Sequence, residues 1–349
     1  GGDAAGYVIN EDISIDLTLN QKSFPIRDAI FKSSPIVADL NNNSIKEIYI
    51  GAEDDKLYGY TSEGQMIPGF PFSTGDRIRS SVAIGDVDND GTDELVFGSS
   101  EGKLYTLKGN GALQAVYTQV GAIESHPALK DLDGDGDLEI IFTTASSSGG
   151  KLYVIHHNGV LIDGFPMELG SMFSGPAVKD IDMDGVDEII VGTYDDQLWA
   201  IEAIGGAVKP GFPFEGSNRF NIPSTIVDLD GDGYFEIISA TDSGNLYVIS
   251  HDGNLISEYD TGDDIRGGIS VADLNADGSL DLIFNGYDDM VHVWSPLSNQ
   301  VLDGWPIDLG SNIVSEPVVA DMNGDGSLDV IVSRKNGNIY CFEADGSLL

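Results

Sequence analysis

Asp131-Leu132-Asp133-Gly134-Asp135-Gly136-Asp137-Leu138-Glu139 places carboxylates at its first, third, fifth and ninth positions and a glycine at its sixth. Hard divalent cations take six to eight oxygen ligands. Alternating acids followed by a glycine let a short loop curl round one ion with several side-chain oxygens and one main-chain carbonyl. Where helices flank such a loop, the last acid stands at position twelve. Here it stands at nine and opens an apolar run, Glu139-Ile140-Ile141-Phe142, that reads as a strand. The loop therefore joins two strands.

The string recurs along the chain. Taken at positions one, three, five, seven and nine, a second copy is Asp86, Asp88, Asp90, Thr92 and Glu94, beside Asp131, Asp133, Asp135, Asp137 and Glu139. Two more are Asp180, Asp182, Asp184, Val186, Glu188 and Asp228, Asp230, Asp232, Tyr234, Glu236. Two carry asparagine at position three: Asp273, Asn275, Asp277, Ser279, Asp281 and Asp321, Asn323, Asp325, Ser327, Asp329. The first copy, Asp39, Asn41, Asn43 and Glu47, has lost two charges and its glycine and is expected to bind weakly or not at all. One such string is commonly a surface turn. Six strong copies in register predict about six calcium sites and a degenerate seventh.

The strings begin at residues 39, 86, 131, 180, 228, 273 and 321, a period of 45 to 49 with only short strands and turns between. That period predicts propeller blades. In the second repeat, Ser81–Gly85 is a first strand, Leu95–Phe97 a second, Lys103–Leu107 a third, and Leu113–Val120 an irregular outer strand. The expected fold is all-β, a seven-bladed β-propeller with four antiparallel strands per blade. Its repeats fall at about 33–79, 80–124, 125–173, 174–221, 222–266, 267–314 and 315–349 plus 20–32. Several outer strands carry Gly-aromatic-Pro, as in Gly69-Phe70-Pro71, Gly164-Phe165-Pro166, Gly211-Phe212-Pro213 and Gly304-Trp305-Pro306. Proline is tolerated on an edge strand, and the aromatic can cover the next blade. The last repeat stops without an outer strand, and Ser23-Phe24-Pro25-Ile26 matches the missing piece, so the N-terminal strand is expected to close the last blade. Residues 1–19 lie outside the repeats as a lead or extra strand.

An apolar strand, Asp-x-Asp-x-Asp-Gly-x-x-Glu, a second apolar strand and a Gly-x-Leu-Tyr strand together resemble the FG-GAP/VCBS repeat family over roughly residues 22–349. The resemblance implies calcium on one rim of a propeller and partner binding on the other. The chain lacks a consistent Phe-Gly…Gly-Ala-Pro signature. It looks more like the bacterial secreted and surface members than the integrin alpha subunits.

The formal charge of −41 argues against nucleic acid or an anionic membrane as partner. Six calcium ions would cancel a sizeable part of it. One cysteine, Cys341, excludes a disulfide framework and is expected to be buried. Weak calcium loops are filled where calcium is millimolar, so an extracellular or cell-surface setting is expected. No apolar run is long enough to span a membrane, and the chain reads as a monomeric module cut from a larger surface protein.

Aligning the repeats exposes two variable columns just before each first strand. One reads Lys32, Arg79, Glu124, Phe173, Asn221, Arg266, Val314, and the other Ile30, Arg77, Ala122, Ser171, Arg219, Asp264, Asn312. The position between them stays apolar (Phe31, Ile78, Ile123, Met172, Phe220, Ile265, Ile313). Four of the six arginines stand in these columns, and Tyr194, Tyr287, Arg334 and Lys335 fall in turns expected on the same face. Guanidinium groups suit carboxylate or sulfate, and tyrosine suits sugar rings, so this face is the candidate surface for a protein or glycan. Two other functions are open at this point. His126 with a tyrosine would serve a lyase acting on an anionic polysaccharide, and a structural spacer would need no ligand. Calcium counting together with a thermal melt tests the loops: about six ions per chain and a large fall in Tm on chelation are expected, and no bound calcium with no shift would refute the metal reading.

Overall fold

The computed structural model describes residues 29–119, 121–146, 149–313, 315–335 and 337–349. These residues form seven separate antiparallel sheets in chain order, with no helix among them. In the second blade the strands are Ala83–Gly85, Glu94–Gly98, Lys103–Lys108 and Leu113–Thr118, hydrogen-bonded in that order. Each acidic loop joins a short first strand to the second strand, as its sequence required. From the second blade to the sixth, every residue of the second strand is buried. Such strands are apolar on both faces because a neighbouring blade covers each side.

The core consists of interfaces between blades. Six apolar clusters each unite one adjacent pair, from the first and second (Tyr49, Leu57, Phe97, Leu107) to the sixth and seventh (Ile283, Val293, Val330, Phe342). The seventh blade has three strands among the described residues, Val318–Ala320, Asp329–Ser333 and Ile339–Phe342. Its outer strand is begun by the Phe342–Leu348 bridge and a Leu349 N–H bond to the Cys341 carbonyl. The expected closing segment, Ser23–Ile26, and the lead over 1–19 lie outside the described residues. Cys341 is half-buried, less enclosed than its alternating segment suggested.

The outer strands differ from the expected regular form in four blades. In the first, third, fourth and sixth, the pairing breaks around Gly-aromatic-Pro, leaving a bridge or two-residue strand on each side. Each of the four X-Pro bonds there is cis. The preceding glycine meets the next blade's turn: a Cβ on Gly69 would lie 2.0 Å from the Asn110 carbonyl oxygen, and one on Gly211 would lie 2.1 Å from that of Asp252. The aromatic then packs into the interface with the next blade, as Phe165 and Trp305 do. The edge reading of the proline holds, and the motif is also a contact between blades.

A second seam runs along the opposite side. In four places the segment leading into a first strand is hydrogen-bonded to two blades at once. Ile78 donates its N–H to the Ala52 carbonyl of the first blade, while the Arg77 carbonyl accepts from Ser100 of the second. The pattern repeats at Phe220 with Thr193 and Arg219 with Asp242, and at Ile313 with Gly286 and Asn312 with Lys335. The intervening apolar residues Ile78, Ile123, Met172, Phe220, Ile265 and Ile313 are buried, as their constancy suggested. Three sit over a glycine that ends the preceding blade's second strand: Gly51 under Ile78, Gly98 under Ile123, Gly192 under Phe220.

A Cβ on Gly98 would lie 2.1 Å from Ile123 Cγ2 and 2.6 Å from its carbonyl oxygen, so relief would require the seam itself to move. Gly98→Ala is therefore expected to destabilise the protein by ~1–3 kcal/mol, the ordinary cost of overpacking a core. Urea denaturation measures it, and an unchanged midpoint would show that the seam yields freely.

Candidate metal loops and the opposite face

The seven acidic loops share one hydrogen-bonding scheme. The acid at position nine turns back beneath the loop and accepts the N–H of position two. This occurs from Leu40 to Glu47, Val87 to Glu94, Leu132 to Glu139, Ile181 to Glu188, Leu229 to Glu236, Leu274 to Asp281 and Met322 to Asp329, at 2.8–3.1 Å. The position-five side chain accepts the N–H of position seven in every copy, as from Tyr234 to Asp232 and Ser327 to Asp325. Positions four and six take positive φ in all seven, which explains the glycine at six; only the first loop has a side chain there, Ser44 at φ 67°.

Ligand atoms of three acids converge within 4.8 Å of one another in four loops: Asp86, Asp88, Glu94; Asp131, Asp133, Asp135; Asp180, Asp182, Glu188; and Asp228, Asp230, Glu236. Several of their oxygens are buried and accept no hydrogen bond, among them Asp88 Oδ1, Glu94 Oε1, Asp182 Oδ1 and, in the seventh loop, Asp329 Oδ1. An orphaned buried carboxylate oxygen is costly. Burial first, with help from neighbouring carboxylates, pushes Glu94, Glu139, Glu188, Glu236 and Asp281 above the usual range. Convergent oxygens, unmet acceptors and desolvated charge together fit a hard divalent cation. The two asparagine-bearing loops repeat the same backbone scheme with an amide oxygen at position three. In the first loop, the Asn41 amide donates to Glu47 Oε1 at 2.7 Å, so the loop's own side chain occupies the oxygen left open elsewhere.

A group of residues beside the loops escapes any reading of the strings alone. In three blades the residue ending or following the third strand faces position nine: Lys108 Nζ lies 3.5 Å from Glu94, His156 Nδ1 lies 2.9 Å from Glu139, and Ser295 Oγ bonds Asp281. Their signal is a fixed offset from the aliphatic residue that opens the strand's apolar run, Leu104, Leu152 or Val291. Lys209, arriving from the outer strand of the fourth blade, also reaches its loop.

On the opposite side, the lead-in columns and the turns between second and third strands do share one face, held by the seam described above. The arginines there are matched by acids. Arg79 bonds Glu53 at 2.6 Å and Glu124 at 3.4 Å. Arg266 bonds Asp264 at 2.7 Å and Asp242 at 3.4 Å, and Arg219 also bonds Asp242. Arg219 covers the Tyr194 ring and Arg266 the Tyr287 ring, at 4.8 and 5.3 Å. Arg334 bonds the Tyr340 hydroxyl, while Lys335 is exposed. Arg77 and Arg334 each keep a buried Nε without a hydrogen bond, and the acid oxygen nearest Arg77, on Glu124, is 3.9 Å away. Arg77 and Arg79 line a cavity of about 660 Å³ with Glu124, Ser171, Phe173 and Tyr194, where the lead-in segments of three blades converge. His126 lies elsewhere, its ring packed over Gly175 and its pKa lowered by burial.

Comparison with known proteins agrees with the repeat reading. The FG-GAP-like repeat family matches residues 131–191, 228–284 and 273–332. The V. cholerae biofilm matrix protein Bap1 superimposes with a TM-score of 0.69 at 13% identity, over 94% of this chain and 81% of that one. Saccharomyces cerevisiae Sqt1 gives 0.65 at 15% identity, over 92% and 85%. The Dos1 propeller gives 0.64 at 14% identity, over 90% and 82%. No curated protein matches in sequence. At these identities the likeness establishes the propeller fold.

A carboxyl whose folded pKa is raised favours the folded state when protonated. Metal-free protein should therefore gain stability as pH falls from 7 towards 5, through the raised values of the position-nine acids. It should lose stability lower down, where Glu53, Glu101 and Asp184, whose values are lowered, take up protons. With metal bound, protons compete with the ion, and the slope between pH 7 and 5 should reverse. Thermal melts with and without chelator measure both slopes, and parallel slopes would refute this account.

Proposed function

Since this chain carries FG-GAP-like repeats, we propose that it is a calcium-stapled propeller outside the cell, a recognition or adhesion module of a larger surface protein. Calcium suits the loops because their donors are all hard oxygens on short, flexible turns and because millimolar calcium outside cells fills sites of modest affinity. The ion's part is structural: it neutralises desolvated carboxylates and fixes the loops between first and second strands. A matrix protein among the proteins of similar fold supports the extracellular setting.

The observation that carries the binding role is the cavity of Arg77, Arg79, Glu124, Phe173 and Tyr194 on the face away from the loops. Its charges are internally balanced, so a partner there gains little from bulk attraction. It offers donors and acceptors side by side with aromatic surface, and the Arg77 side chain, 42% exposed, has no acid oxygen nearer than 3.9 Å. Sugar hydroxyls both donate and accept, and the carbon face of a sugar ring packs on aromatics. A hydroxyl-rich glycan fits this surface best, and a polar protein loop is the second candidate.

A panel of neutral, uronate-bearing and sulfated polysaccharides, tested with calcium present, should identify a binder. Arg77→Ala or Tyr194→Ala should weaken that binding about tenfold, ~1.4 kcal/mol, with the calcium count unchanged. Binding that survives both substitutions would move the site elsewhere.

A further inference from the structure

We propose that Lys209 is the resident cation of the fourth acidic loop, closing with an ammonium what the neighbouring loops close with a metal ion. The proposal rests on the calcium reading for those neighbours. Lys209 Nζ lies 2.6 Å from Asp182, 3.3 Å from Asp184 and 3.2 Å from Glu188, which are positions three, five and nine of the loop. An ammonium has three donors, and here three carboxylates converge on it. The side chain is 8% exposed, so the charge is enclosed with its partners.

The position from which Lys209 reaches the loop is the same in other blades. The residue that restarts pairing after the outer turn donates its N–H back to the third strand: Ile67 to Gly59, Ile162 to Val154, Leu302 to Val293, Leu349 to Cys341, and Lys209 to Ala200. Four blades place an aliphatic side chain there. In the fourth blade a lysine stem takes that slot and carries its charge past it into the loop. Lys108 of the second blade approaches from the third strand and also meets two loop acids, Asp90 at 2.8 Å and Glu94 at 3.5 Å, but it is 40% exposed. It can swing into solvent and leave its loop open.

A divalent ion bound among Asp182, Asp184 and Glu188 would stand within a few ångströms of the ammonium, where like charges repel strongly in so dry a site. Metal and Lys209 therefore exclude one another. Lys130 adds a further positive charge nearby, 2.7 Å from Asp187 of the same loop. The fourth loop thus stays formed without calcium, and the strong strings supply five metal sites instead of six.

The test uses the full chain and its Lys209→Met variant, with calcium counted by equilibrium dialysis and melts recorded in chelator and in millimolar calcium. The variant should bind one ion more than wild type, melt several degrees lower in chelator and recover most of that loss in calcium. Equal counts with equal melts in chelator would overturn the proposal while leaving the calcium reading intact. If neither protein binds calcium, that reading fails separately, and the melt in chelator alone decides: a lower Tm for the variant supports Lys209 as the loop's cation, and an unchanged Tm overturns it. Should Lys209→Met not fold, Asp182→Asn and Asp230→Asn in the wild-type background decide. The first should leave the calcium count unchanged and the second should remove one ion, whereas loss of an ion from Asp182→Asn would overturn the proposal.

Discussion

A carboxylate shielded from water at the foot of every second strand is the constraint to which the rest of the blade answers. Glu94, Glu139, Glu188, Asp281 and Asp329 have no exposed surface, yet each belongs to a group ionised in water at neutral pH. Each accepts one backbone N–H from its own loop, which fixes the loop's path but satisfies only one of its oxygens. The remaining oxygens need a positive partner. The alternating acids above supply the rest of a coordination shell, and the left-handed residues at positions four and six allow the turn that brings them together. The same residue thus ends a loop, starts a strand and sets the requirement for a cation.

Neighbouring loops meet that requirement differently. The first uses the amide of Asn41, the third adds His156, the sixth adds the hydroxyl of Ser295, and the fourth holds the ammonium of Lys209. One backbone scheme therefore supports several counter-groups. Apart from Asn41, which belongs to its own string, the variable groups stand outside the strings, on or beside the third and outer strands.

Much of this was legible in the sequence, and the limits have a physical basis. The strings, their period and the constancy of Ile78, Ile123 and Phe220 are local or periodic, so the loops, the blades and the buried lead-in position could be read directly. The pairing of Arg79 with Glu53, of Arg219 with Asp242 and of Lys209 with its loop joins residues on different strands or blades. Such contacts depend on register and on the reach of long side chains, which a linear pattern does not encode. The arginines on the face opposite the loops were thus visible as a group, and pairing with nearby acids such as Glu124 and Asp264 could be anticipated, but the full set of partners was not. The sequence also showed Gly-aromatic-Pro as an edge motif; its glycine presses on the next blade's turn, a contact between repeats that no single repeat can reveal.

The lead-in seam has a consequence for how such a protein can change over time. The lead-in segments at Ile78, Ile123 and Phe220 are each bonded to the blade before and the blade after, with a buried side chain wedged over a neighbour's backbone, so an insertion there would pull adjacent blades away from each other. Some hairpins between third and outer strands are tied in the same way, since the preceding blade's glycine presses on Asn110–Gly111 and on Asp252–Gly253, whereas Leu297–Asn299 of the sixth blade is exposed. New material can be grafted at an exposed hairpin of that second kind with the blade spacing preserved. The seam confines evolutionary novelty on the lead-in face to exchange of side chains in the two columns, while the fold can lengthen only where a hairpin stands clear of its neighbour.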